Sequence, residues 1–240
     1  MPLIVFDGPD GSGKTTVLDL VYDHLTIDLK LENVERYRQP GATPLGEALR
    51  AIIKSKQYSP GALAERLMFA ADHAQFVTEV LLADPERGRK PLRDRIVLVD
   101  RFSFITDVIY GHARGLDVSA IRRIQDLIPP VKSDFALFFT VPYDVAQDRK
   151  ELRKAASAVQ QPSGYEPTPE TDCRIEAATA LQAAVSGIYS RAADPQGLIQ
   201  TSCRDRFERS TLIDANRELR EVAADAITAV EEELTLHGTL

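Results

Sequence analysis

The 240-residue chain has no tryptophan, two cysteines and two methionines. Cys173 and Cys203 lie far apart with no metal-ligand spacing, so they form no disulfide framework and read as reduced thiols of a cytoplasmic protein. No apolar run approaches the length of a membrane span. The opening MPLIVFDG has neither a basic region nor a cleavage site, which argues against a secretory leader. Basic residues are also short: 29 Lys and Arg against 36 Asp and Glu give a net charge of -7. That sign argues against a general nucleic-acid binder. It does not exclude a small anionic substrate, because a local cluster of Arg and Lys can outweigh the global charge inside a cleft.

What is present suffices for one α/β domain with a real core. Short β-rich apolar runs at residues 3–6, 33–37, 96–99, 135–140 and 211–213 alternate with segments of helical spacing. Leu219, Val222, Ala223, Ala226, Ile227 and Val230 mark one helical face, and Ile175, Ala178, Leu181, Val185 and Tyr189 another. Helices between strands imply right-handed crossovers and a mostly parallel sheet covered on both faces. No internal repeat or linker divides the chain, so residues 1–240 read as one domain. Two irregular stretches, 157–171 and 194–210, read as surface excursions. The first is rich in Pro, Ser, Gln and Gly, and stays open between a disordered loop and a lid that closes on a ligand.

Residues 8–16, GPDGSGKTT, follow the first strand and precede a helical stretch. The pattern Gly8-x4-Gly13-Lys14-Thr15 is that of a phosphate-binding loop. Gly11 and Gly13 let backbone N–H groups turn inward, with Ser12 between them. The helix beginning near Lys14 adds its positive end. Lys14 supplies a cation to the terminal phosphates, and the Thr15 hydroxyl, with Thr16 beside it, faces Mg2+. IVLVDR, residues 96–101, reads as a buried strand with Asp100 at its carboxyl end, where ligands bind in open parallel sheets. Asp100 is a candidate for the water shell of Mg2+, and Arg101 for an acceptor phosphate.

With these two motifs in place, further segments resemble the thymidylate kinase family of nucleoside monophosphate kinases, over nearly the whole chain. RQPGATPLGEALR, residues 38–50, is similar to REPGGTPLGExLR, with Gln39 for Glu and Ala42 for Gly. LMFAADHAQ, residues 67–75, is similar to LLFAADRAQ, with His73 for Arg. DRFSFITDVIYGHARGLD, residues 100–117, is similar to DRYxxSxxAYQGxGRGLD, and STLIDANRELREVAADAI to a closing IDAxRSxEEVAxxI. In an ungapped alignment Ile105 stands for the usual Ser, Ile109 for the aromatic beneath the deoxyribose and Tyr110 for Gln, while Thr106 faces the base.

The resemblance implies a three-layer P-loop fold with a five-stranded parallel sheet, helices on both faces and a lid near residues 145–175. It implies transfer of the ATP γ-phosphoryl to dTMP, with Mg2+ as cofactor and a homodimer as assembly. Arg38, Arg50 and Arg101 would hold the acceptor phosphate, as three guanidiniums suit a dianion. Asp10 would hold the sugar 3'-hydroxyl, and Phe69, His73, Thr106 and Tyr110 the base side. Ala215 and Asn216 would lie beside adenine. Since Gly11 stands where some members carry Arg, the catalytic arginine would come from the lid, as Arg149 or Arg153, with Arg174 the third candidate. The departures at His73 and on the nucleoside side keep dUMP, a modified pyrimidine nucleotide or a nucleoside open as acceptors. A non-catalytic nucleotide-binding switch is the remaining alternative.

Overall fold

The computed structural model describes residues 2–55, 57–82, 86, 88, 90–158 and 169–240, with backbone alone for 93, 154, 156–158 and 169–178. The strands are β1 (Leu3–Asp7), β2 (Val34–Arg38), β3 (Ile96–Asp100), β4 (Ser133–Thr140) and β5 (Phe207–Asp214). They form one sheet of order β2-β3-β1-β4-β5, parallel throughout. Alternation of side chains splits the core into two halves. Leu3, Val5, Val97, Val99, Ala136 and Phe138 face one side, and Ile4, Phe6, Ile96, Leu98, Leu137 and Phe139 the other. Both faces are covered, so the central strands read as unbroken apolar runs.

The helices are α1 (Lys14–Asp23), α2 (Pro44–Lys54), α3 (Ala62–Phe76), α4 (Ser103–Ala113), α5 (Val118–Gln125), α6 (Tyr143–Ala158), α7 (Pro169–Tyr189), α8 (Leu198–Ser202) and α9 (Leu219–Leu236). α1 and α9 pack on one face; α3, α4, α5 and α7 on the other. Their ends follow local rules. Thr43 caps α2, accepting from the Gly46 N–H at 3.0 Å, with Pro44 opening the helix. The RGLD stretch is a joint: Gly115 (φ +76) ends α4 in the left-handed conformation, and Asp117 caps α5 by accepting from the Ser119 N–H.

The structure corrects two of the expected boundaries. The fifth strand starts at Phe207, so the 194–210 stretch is not wholly irregular. Its first part carries α8, and Ile199, Cys203 and Phe207 are all buried in the core that α4 and α7 share. It thus closes the open end of that core. In the 157–171 stretch, residues 159–168 lie outside the described residues, while 169–171 begin α7.

Candidate active site

The carboxyl ends of β1 and β3, neighbours in register with Phe6 opposite Asp100, open into one cleft of about 630 Å³. Its lining holds eight cationic side chains, Lys14, Arg38, Arg50, Lys54, Arg101, Arg114, Lys150 and Arg153, against three carboxylates, Asp10, Glu65 and Asp100. A chain of net charge -7 therefore concentrates positive charge in this one crevice.

One end is the loop between β1 and α1. Gly11 and Gly13 have φ of +91 and +83, which only glycine adopts without strain. Gly11 is fixed for a second reason: a Cβ there would overlap the Ala146 carbonyl of α6. An arginine at this position is therefore sterically barred. Gly11, Gly13, Lys14, Thr15 and Thr16 line the cleft; Gly8 and Ser12 are buried beneath it. The Lys14 ammonium is nearly enclosed, and burial first, then the Arg101 guanidinium, lowers its pKa to about 8. Thr15 Oγ1 donates to Asp100 Oδ2 at 2.5 Å, while Asp100 Oδ1 is buried without a partner. A hydroxyl and an orphaned carboxylate oxygen beside a phosphate loop fit Mg2+, which takes few protein ligands and keeps waters and phosphate oxygens. Among the described residues no cluster of three His, Cys, Asp or Glu offers an all-protein metal cage.

The other end is built by α2, α3 and α4. Arg38, Arg50 and Arg101 line it, as expected from the sequence. Arg50 Nη1 donates to the Pro40 carbonyl at 3.0 Å, which aims the guanidinium. Arg101 has left-handed backbone (φ +69), an uncommon state for a non-glycine residue that functional sites can retain. Its Nη2 donates to Asp10 Oδ1 at 2.6 Å, and Nη1 lies 3.5 Å from Asp7 Oδ1. The guanidinium holds the Asp10 carboxyl well below the usual range. Asp7, which the sequence reading passed over, is a buried junction. It accepts from the Gly8 N–H at 2.8 Å, the Tyr189 hydroxyl at 2.6 Å and the Thr106 hydroxyl at 3.0 Å. It ties the phosphate loop, α7 and α4 together.

Other expected positions differ. His73 does not line the cleft. It is buried with Nδ1 3.4 Å from Gln39 Oε1 and its ring edge-on to Phe102, and burial lowers its pKa to about 3. It is therefore neutral. On α4, Ile105 and Ile109 are fully buried, and Thr106 and Tyr110 line the cleft. The aromatic ring that α4 brings to the cleft is Tyr110, as expected for the base side, while Ile109, where the ungapped alignment puts the family's aromatic, is core. One residue turns a helix face by about 100°, so a slip of one exchanges cleft for core. Thr106 does reach the cleft, but its hydroxyl is used on Asp7. Arg149 turns away and donates to the Ala215 carbonyl at 3.0 Å, whereas Lys150 and Arg153 on the same helix line the cleft. Ala215 is buried and the Asn216 N–H bonds Asp214; neither lines the cleft. The side chain of Arg174 lies outside the described ones. Lys54, Glu65, Arg114 and Gln182 line the cleft without having been singled out for it. Lys54 was legible as the residue one turn beyond Arg50 on α2.

A family model described as thymidylate kinase matches residues 6–165. A thymidylate kinase of Finegoldia magna is 32% identical over 202 residues, covering 78% of this chain and 94% of that one. One of Trichodesmium erythraeum is 34% identical over 178 residues, covering 66% of this chain and 74% of that one. The crystal structure of thymidylate kinase from Ehrlichia chaffeensis has the same fold, with a TM-score of 0.59 at 21% identity, covering 96% of this chain and 98% of that one. With a phosphate loop and an arginine-lined pocket facing each other across one cleft, the chain belongs to the thymidylate kinase family.

Proposed function

We propose that the protein transfers the γ-phosphoryl of ATP to dTMP. The observation that carries this reading is that two phosphate-binding ends, one of main-chain amides and Lys14, the other of Arg38, Arg50 and Arg101, share one cleft. ATP lies on the phosphate loop. The acceptor phosphate meets the three arginines, its sugar meets Asp10 and the Tyr110 ring, and its base lies against Phe69. A phosphate oxygen of the acceptor forms a bond to the γ-phosphorus as the bond from phosphorus to the bridging oxygen of ADP breaks. The attacking oxygen is already anionic, so no general base is needed; alignment and charge stabilisation do the work. Lys150 and Arg153 are the lid cations placed to approach the transferring group, which can be worth about 10³–10⁵ in rate. Mg2+, held through Thr15 and Asp100, would neutralise phosphate charge.

The reading carries with it a single catalytic domain, a cytoplasmic setting and a homodimer. Supporting the last, Leu63 and Leu67 on α3 are 58% and 49% exposed. No described helix is long and apolar enough to cross a membrane. The test is acceptor-dependent ADP formation from ATP over a panel of monophosphates and nucleosides. dTMP is expected to be the best acceptor. Hydrolysis independent of any acceptor would favour a switch protein instead. dUMP belongs in the panel because His73 puts no cation at the base side.

A further inference from the structure

Phe69 lines the cleft, and an arginine covers one face of its ring. Arg66, one residue off the cleft side of α3, lays its guanidinium over the ring with Cζ 4.5 Å from the centroid. It is 1% exposed and does not line the cleft, whereas Phe69 does. A buried arginine needs partners to offset its desolvation, and here they form a chain. Nη1 donates to Asp107 Oδ1 at 2.8 Å, and Asp107 Oδ2 accepts from Gln125 at 2.8 Å. Nη2 donates to Glu65 Oε1 at 2.9 Å, and Glu65 Oε2 pairs with Arg114 at 2.5 Å. Glu65 and Arg114 line the cleft, and Glu65 is one helical turn from Phe69 on the same face. A leucine would fill the space behind the ring without this desolvation cost. The arginine does something a leucine cannot: one planar group orients the ring on its face and the Glu65–Arg114 pair through its edge.

Resting on the reading of this end as the acceptor site, we propose that Arg66 is a positioning residue. Anchored by Asp107, it holds Phe69 and the Glu65–Arg114 pair as two walls against which the acceptor base lies. The base then forms the third layer of a guanidinium–phenyl–base stack. Removing the guanidinium loosens the acceptor and leaves the ATP end untouched.

Steady-state kinetics with dTMP and ATP varied in turn test this on the full chain. Arg66→Met is expected to raise the acceptor KM about tenfold and Asp107→Asn about threefold, with kcat and the ATP KM within about twofold of wild type. Arg66→Lys, which keeps the cation, recovers part of the loss. An unchanged acceptor KM in Arg66→Met, a lysine variant no better than methionine, or kcat and both KM values moving together would overturn the assignment. Should Arg66→Met not fold, Asp107→Asn and Arg66→Lys are judged by the same split. Wild-type protein that turns over no dTMP overturns the acceptor reading itself, and this proposal with it. Wild-type turnover with an indifferent Arg66 overturns the proposal alone.

Discussion

His73 and Gln39 face each other inside the protein, imidazole Nδ1 3.4 Å from amide Oε1, both nearly excluded from solvent. In the sequence they are 34 residues apart and look like two unrelated departures from the family pattern, a His for Arg and a Gln for Glu. In the fold they meet as one neutral couple, where the family's sequence pattern has a cation and a carboxylate. Gln39 Oε1 also accepts from the Ser103 N–H at 3.1 Å, and its Nε2 donates to Asp72 at 3.2 Å, so the amide joins β2, α3 and the start of α4.

Restoring one partner alone should therefore cost stability. His73→Arg puts an uncompensated cation in a pocket that already feels Arg206. Gln39→Glu puts a second carboxylate beside Asp72. Each is expected to lose about 3 kcal/mol, and the double variant to recover at least half of the summed loss. Urea denaturation of the four proteins measures the coupling; additive losses would show that the two sites are independent.

Lys14 makes stability depend on pH in a definite direction. Its folded pKa of about 8 lies below the roughly 10.4 of an unfolded lysine. Between these values the unfolded chain holds a proton that the folded chain has released, so stability rises with pH across that window. Below pH 8 the burial cost of the charged form is fully present. The rise is on the order of 3 kcal/mol and is read as the difference between wild type and Lys14→Met. A bound non-hydrolysable ATP analogue should abolish it by holding Lys14 charged, and the ATP KM of the free enzyme should climb above pH 8.

Gly11→Ala should be costly although it adds a single methyl group. The backbone is left-handed there, and the Ala146 carbonyl occupies the space of a Cβ. A loss of about 2 kcal/mol or more is expected, together with a rise in the ATP KM as α6 is displaced. Thermal melts with and without ATP analogue check it; a near-neutral outcome would mean that α6 does not rest on the loop in solution.

Lys54 should add to the acceptor pocket without being part of the arginine cluster. It lines the cleft, and its pKa is lowered by burial and by Arg50 and Arg38. Lys54→Met is expected to raise the acceptor KM about threefold to tenfold and to flatten its dependence on salt, with kcat held. A kcat loss with the KM unchanged would contradict that role.

Much of this protein is written locally. The alternation of apolar runs and helical spacings sets the order of elements along the chain, and β1, β3, β4 and β5 each hold a β-rich apolar run, whereas β2, VERYR, is largely charged. Residues 8–16 were legible as a phosphate-loop pattern, because a glycine-rich turn between a strand and a helix can make an anion site from its own backbone. Arg38 and Arg50 were legible through the resemblance of residues 38–50 to the family's segment, and Arg101 as the residue that follows β3 at the cleft.

The fold alone decided what depends on distance. Which face of α4 meets the cleft turned on a single residue: Tyr110 lines it as expected, while Ile109, the aromatic's place in the ungapped pattern, lies in the core. Asp7 became a junction only when Tyr189, from the far end of α7, reached it. Arg149 and Arg153 are four residues apart on one helix, yet one turns to the Ala215 carbonyl and the other to the cleft. The physical reason is common to all of these. Backbone propensity and hydrophobic periodicity act over a few neighbouring residues. The charge, burial and partner of a side chain are set by groups that only packing brings together.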